Sequence, residues 1–204
     1  MAAGLSAFDA GGFLTRLIRL DPAALVRLRA GEAGTVELWA RLPWGVLATR
    51  RAPGPSIVDS TVGAAELLRT VTEGEGRLPP TRDRDWRWPL PPNAGIAVEA
   101  LPVEEVRRLG LAAADTLRAA RGRVPERALR DALLDHVPIV VTADGREIPV
   151  RQGLVQALLR MGFDGTGNDR EVTVRIAGSW VCLAAGPGAV WLQNVPSLAI
   201  RIAK

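Results

Sequence analysis

V-R-Q-G-L-V-Q-A-L-L-R-M, residues 150–161, carries the cleanest periodicity in the chain. At the helical repeat Val150, Leu154, Ala157, Leu158 and Met161 share one face, while Gln152, Gln156 and Arg160 share the other. Gly162 stands where a left-handed stop residue belongs, and Asp164-Gly165-Thr166-Gly167-Asn168-Asp169 is a run of turn formers that ends the helix. Beyond it, Val172, Val174 and Ile176 alternate with Thr173 and Arg175. Gly178-Ser179 interrupts, Trp180 to Leu183 resumes an apolar run, and Gly186-Pro187-Gly188 turns the chain into Ala189 to Leu192. An amphipathic helix followed by an antiparallel meander is the reading around which the rest is arranged.

Towards the N-terminus, Ile139 to Val150 has the order apolar run, Asp144-Gly145, apolar run, which predicts a hairpin. Pro125 opens a helix carrying Leu129, Ala132, Leu133 and Val137, closed by Pro138. Val103 to Arg121 places Val106, Leu109, Ala113, Leu117 and Ala120 on one helical face, and Ile96 to Leu101 is a short strand. Helix then meander resembles the element order of a winged helix-turn-helix, and the resemblance is one of order alone. It implies a recognition helix at residues 150–161 with Arg151 and Gln152 at base edges, Gln156 one turn on and Arg160 at phosphate. Arg146, Arg170 and Arg175 would add backbone contacts. Arg151 projects at the flank of the apolar face, and a Gln-bearing stripe is equally what a solvated helix shows.

The N-terminal part reads as helices plus a hairpin. Met1 to Gly12 is small and Gly-rich, a loose end. Phe13, Leu14, Leu17 and Ile18 recur at helical spacing, and Asp21-Pro22 predicts a second helix through Ala24, Leu25 and Leu28 up to Gly31. Val36, Leu38, Ala40 and Leu42 alternate with Glu37, Trp39 and Arg41, a half-buried strand that Pro43-Trp44-Gly45 turns back into Val46 to Arg51. Ser60-Thr61 is read as the cap of a helix through Val62, Ala65, Leu68 and Thr72. Seven glycines and prolines then make residues 72–95 the natural junction. Within it Trp86 and Trp88, two apart, either pin the linker to an apolar groove or, with Trp39, present a surface to a protein partner.

The chain is long enough for one large or two small domains, and 48% hydrophobic content supports a buried core. No apolar stretch approaches a membrane span, because Arg16 and Arg19 interrupt the N-terminal run. The pI of about 10.7 overstates the basicity: 26 basic against 22 acidic residues leave +4, and arginine without tyrosine sets the pI. Each half carries a net +2, with 12 basic against 10 acidic residues before Val98 and 14 against 12 from it onward. His136 and Cys182 are the only histidine and cysteine, which excludes His/Cys zinc sites and His-based triads. A lone cysteine in an apolar strand points to a buried thiol and a cytoplasmic home.

These features predict an α+β chain: an N-terminal part over residues 1–78, a Pro/Trp-rich strap over 79–95, and a C-terminal part over 96–204. The expected function is a non-enzymatic, cytoplasmic DNA-binding or regulatory protein, with no cofactor, metal or membrane partner. The alternative is a protein-interaction scaffold, homodimeric in one form. A small-ligand binder or a carboxylate-based enzyme is the third reading.

Overall fold

The computed structural model describes residues 7–32, 34–55, 57–74, 77–120, 122, 125–165 and 170–194. The elements are α1 (Ala7–Leu20), β1 (Leu25–Ala30), β2 (Thr35–Arg41), β3 (Leu47–Pro53), β4 (Ser60–Gly63), α2 (Ala64–Glu73), β5 (Ile96–Pro102), α3 (Val103–Ala119), α4 (Glu126–Asp135), β6 (Ile139–Ala143), β7 (Arg146–Val150), α5 (Gln152–Arg160), β8 (Glu171–Ala177), β9 (Trp180–Ala185) and β10 (Gly188–Gln193). The chain is α+β, with helices against one antiparallel sheet. That sheet has eight strands in the order β4-β1-β2-β3-β10-β9-β8-β5, and β6-β7 is a separate hairpin.

Each half contributes four neighbouring strands, joined where β3 meets β10 through Thr49↔Ala189, Ala48↔Val190 and Leu47↔Trp191. Strand alternation then sorts side chains into two cores. Val36, Leu38 and Ala40 of β2, Val181 and Leu183 of β9, and Val190 of β10 face the helices and join Phe13, Leu14, Leu154 and Leu158 in the main core. Trp39, Cys182 and Trp191 point the other way, into a smaller cluster on the outer face. Phe13 of α1 and Phe163 after α5 stack at 6.3 Å, so the helical layer is also continuous across the two halves.

Several expectations are corrected. Residues 7–12 belong to α1, while residues 1–6 lie outside the described part. The second helix expected after Asp21-Pro22 is instead β1, in which Val26 and Leu28 are buried and Arg27 and Arg29 lie on the opposite face. Period two satisfies that run better than period 3.6, because it separates the arginines from the leucines. Ser60-Thr61 is not a cap but part of fully buried β4, and α2 starts after it.

The winged-helix order does not survive either: β8, β9 and β10 lie inside the eight-stranded sheet and form no free wing. By contrast, the Asp144-Gly145 hairpin is present, with left-handed φ of 51° and 71° at the two residues.

Candidate partner-binding hollow on the outer sheet face

Sheet register makes a hollow on the face away from the helices. Reading across the strands, Trp39 pairs with Thr49, Thr49 with Ala189, and Ala189 with Ala184. Three small side chains in register leave the sheet low between taller neighbours. One row along, Leu47, Trp191, Cys182 and Arg175 stand in register. One row the other way, Arg29, Glu37 and Arg51 do the same. The resulting cavity of about 560 Å³ is walled on its remaining side by Pro91, Pro92, Asn93 and Ala94. Its size falls within the roughly 300–1,000 Å³ of ligand sites.

The wall is a strap crossing the sheet. Arg82 N–H donates to Thr61 O at 2.7 Å, and Asp83 Oδ1 accepts from Thr61 N–H at 2.5 Å, so the strap closes the β4 edge as a side-chain and backbone surrogate strand. Trp86 is 8% exposed in the outer cluster, donates its indole N–H to Trp88 O at 2.7 Å, and meets the Trp88 ring edge-on at 5.5 Å. The Arg41 guanidinium lies 4.9 Å from the Trp88 ring centroid. Arg175 secures the far end, donating to Ala94 O at 2.9 Å and Gly95 O at 3.0 Å. Gly95 has φ +70°, and a Cβ there would stand 2.8 Å from Ile176 O, so only glycine lets the strap descend onto β8.

Charge within the hollow is unequal. Arg29, Arg50, Arg51 and Arg175 line it against Glu32 and Glu37. Both acids are already held: Arg51 reaches Glu37 at 3.1 Å and Glu32 at 3.9 Å, and Trp39 Nε1 donates to Glu37 at 3.1 Å. Arg29 is tied to Asp59 at 3.6 Å. Trp191 is 4% exposed, and its Nε1 is a buried donor with no acceptor among the described residues. Cys182 is fully buried beneath; desolvation pushes its thiol far above the usual range despite the nearby Arg175 charge, so it stays protonated and unreactive.

The residues proposed from sequence are dispersed. Gln152 is 2% exposed with its amide nitrogen 3.4 Å from Leu109 O, and Gln156 is 3.4 Å from Gly110 O. α3 therefore covers the face that was expected to be outward. Gly110 permits this close approach, since a Cβ there would stand 2.1 Å from Leu159 Cδ1. Arg160 alone of that stripe is exposed, Arg151 pairs with Asp135 at 3.2 Å, and Arg146 is exposed on β7. Arg175 is far from them in role, bracing the strap. Trp39 and Trp86 are buried and Trp88 half-buried, which corrects the exposed-tryptophan surface: their indoles are consumed within the chain. Sequence reasoning missed the hollow and Trp191, whose only visible trace is small-large alternation of Ala189 and Trp191 along β10.

Comparison with known proteins places this architecture. A family model described as a domain of unknown function (DUF8185) matches residues 90–197, more than half of the chain. The chain belongs to the DUF8185 family. A second model, a domain of unknown function (DUF8010), matches residues 1–89, so the border between the two falls inside the strap. No curated protein matches the chain.

Among solved structures, this DUF8185 protein is similar to the DNA polymerase sliding clamp of Caulobacter crescentus, at 14% identity and a TM-score of 0.58, over 100% of this chain and 69% of that one. It is similar to the Helicobacter pylori beta clamp bound to a DNA ligase peptide, at 10% identity and 0.58, over 96% and 67%. It is also similar to the Bartonella birtlesii DnaN sliding clamp bound to griselimycin, at 13% and 0.56, over 96% of this chain but 65% of that one. The chain thus spans about two thirds of such clamps, and at these identities the likeness is one of fold.

Proposed function

We propose that this protein is a non-enzymatic, cytoplasmic protein-interaction scaffold of clamp-like fold, and that the outer-face hollow receives a short segment of a partner protein. The observation that carries this reading is the hollow itself: an apolar floor between Trp39 and Trp191, a charged rim, and a strap held as a rigid wall. Clamp-fold neighbours support it, since one was solved with a DNA ligase peptide and another with griselimycin. A DNA-associated role is the second reading, favoured by the same fold.

The charge pattern of the helix-bearing side supports the scaffold over the DNA reading. Arg107 is held by Glu104 and Asp164, Arg108 by Glu105, Arg118 by Asp115, Arg130 by Glu126 and Arg151 by Asp135. Arginines neutralised locally release few counterions on meeting phosphate. A photo-crosslinking amino acid at Thr49, in the hollow, and at Arg118, on α3, tests the choice in cells. Protein adducts at Thr49 with none at Arg118 are expected. Nucleic-acid adducts at Arg118, with nothing captured at Thr49, would sink the scaffold reading.

A further inference from the structure

The hollow specifies the chemistry of its occupant. Arg175 lies at its base with two neutral carbonyls as acceptors and no carboxylate within ion-pair distance among the described residues, so its charge is unopposed there. Trp191, beside it in register through Cys182, lines the hollow with an orphan N–H. A buried donor without an acceptor costs free energy that a ligand oxygen recovers. The remaining wall is apolar and small, with Ala184 and Ala189 offering room for short aliphatic groups. The two glutamates on the rim are engaged by Arg51 and Trp39, which leaves them poor competitors for the arginines.

We propose that the hollow binds an acidic, leucine-bearing segment of a partner protein, one carboxylate lying against Arg175 and one oxygen of the segment accepting from Trp191 Nε1. This rests on the scaffold reading and adds the partner's chemistry. Cation and indole together select against neutral and basic segments: a basic one meets four arginines, and a neutral one leaves the Arg175 charge unmatched. The low sheet row sets the size of the apolar group between the carboxylates.

The six tryptophans give six indole N–H resonances in a nitrogen-15 correlation spectrum of the full chain, and Trp191→Phe identifies which one is Trp191. The probes are a capped hexapeptide alternating Leu and Glu and its Leu-Gln counterpart. The expected result is a saturable downfield movement of the Trp191 resonance with the acidic peptide, and affinity about tenfold weaker for the neutral one. Raising salt from about 50 to 200 mM should weaken binding severalfold. Ala184→Leu, which fills the floor, should lower affinity by about tenfold while the other indole resonances stay in place, showing an intact fold.

A Trp191 resonance that does not move, equal binding of the neutral peptide, or unchanged binding to Ala184→Leu overturns the proposal. Protein adducts at Thr49 together with no response to the acidic peptide would overturn this chemistry alone and leave the scaffold reading standing. Failure of both experiments removes both.

Discussion

At the scale of single residues, Asp59 shows how the rim of the hollow is kept in place. It accepts from Arg27 Nε and Nη2 at 2.7 and 2.9 Å, a two-pronged pair, and lies 3.6 Å from Arg29. The hydrogen bond to Arg27 is the main cause that holds its carboxyl below the ordinary 3.8. A carboxyl whose folded value is depressed adds stability above the unfolded value, and that stability is lost as pH falls through the folded one. Asp59→Asn should therefore lower the urea midpoint at about pH 7 and 5, by under about 1 kcal/mol because the pair is largely solvated, and the gap to wild type should close near pH 3. A gap that stays constant down to pH 3 would mean Asp59 acts through something other than its charge. Protonation also frees Arg29, so the hollow's rim loosens over the same range.

At the scale of elements, the strap is the unit on which the site depends, and Trp86 is its anchor. Truncating a large buried aromatic costs about 3–5 kcal/mol where it cannot be refilled. Trp86→Ala should thus destabilise the protein by an amount of that order and expose the Arg84 and Arg87 peptide bonds to trypsin well before global unfolding. Mass mapping of early fragments checks this; unchanged cleavage in residues 82–95 would show that Arg175 and the Thr61 contacts hold the strap unaided.

Legibility in the sequence follows the same division. The apolar face of α5 and the Asp144-Gly145 hairpin were readable because period and turn chemistry act locally, and pinning by Trp86 and Trp88 was readable from their spacing. The outward face of α5 was misread because its burial depends on Gly110 of α3, distant in sequence, which lets Gln152 and Gln156 meet the carbonyls of Leu109 and Gly110. The hollow was invisible for a similar reason. Thr49, Ala184 and Ala189 become one row only through the registers of β3, β10 and β9, which no local pattern encodes.

At the scale of the molecule, the question is whether the two matched segments, residues 1–89 and 90–197, fold apart. The outer edges of the sheet are both guarded: the strap closes β4, and β5 carries a register shift between Ala97 and Glu99 with a charged residue in it. The inner edges are the opposite. Severing the chain between Pro89 and Leu90 would leave β3 and β10 each with a row of unpaired backbone groups, and would strip Trp39 and Leu47 from Trp180 and Trp191 in the outer cluster. Phe13 would also lose Phe163. Residues 1–89 and 90–204, produced separately, should therefore each be poorly folded or self-associating, whereas mixing them during refolding should restore one species with the near-ultraviolet circular dichroism of the intact chain. A single cooperative melting transition of that species is the expected signature, because the β3–β10 seam and the outer cluster belong to both halves. Two fragments that are each monomeric, and that melt cooperatively alone as they do together, would instead make them autonomous domains and the continuous sheet a mere docking of finished units.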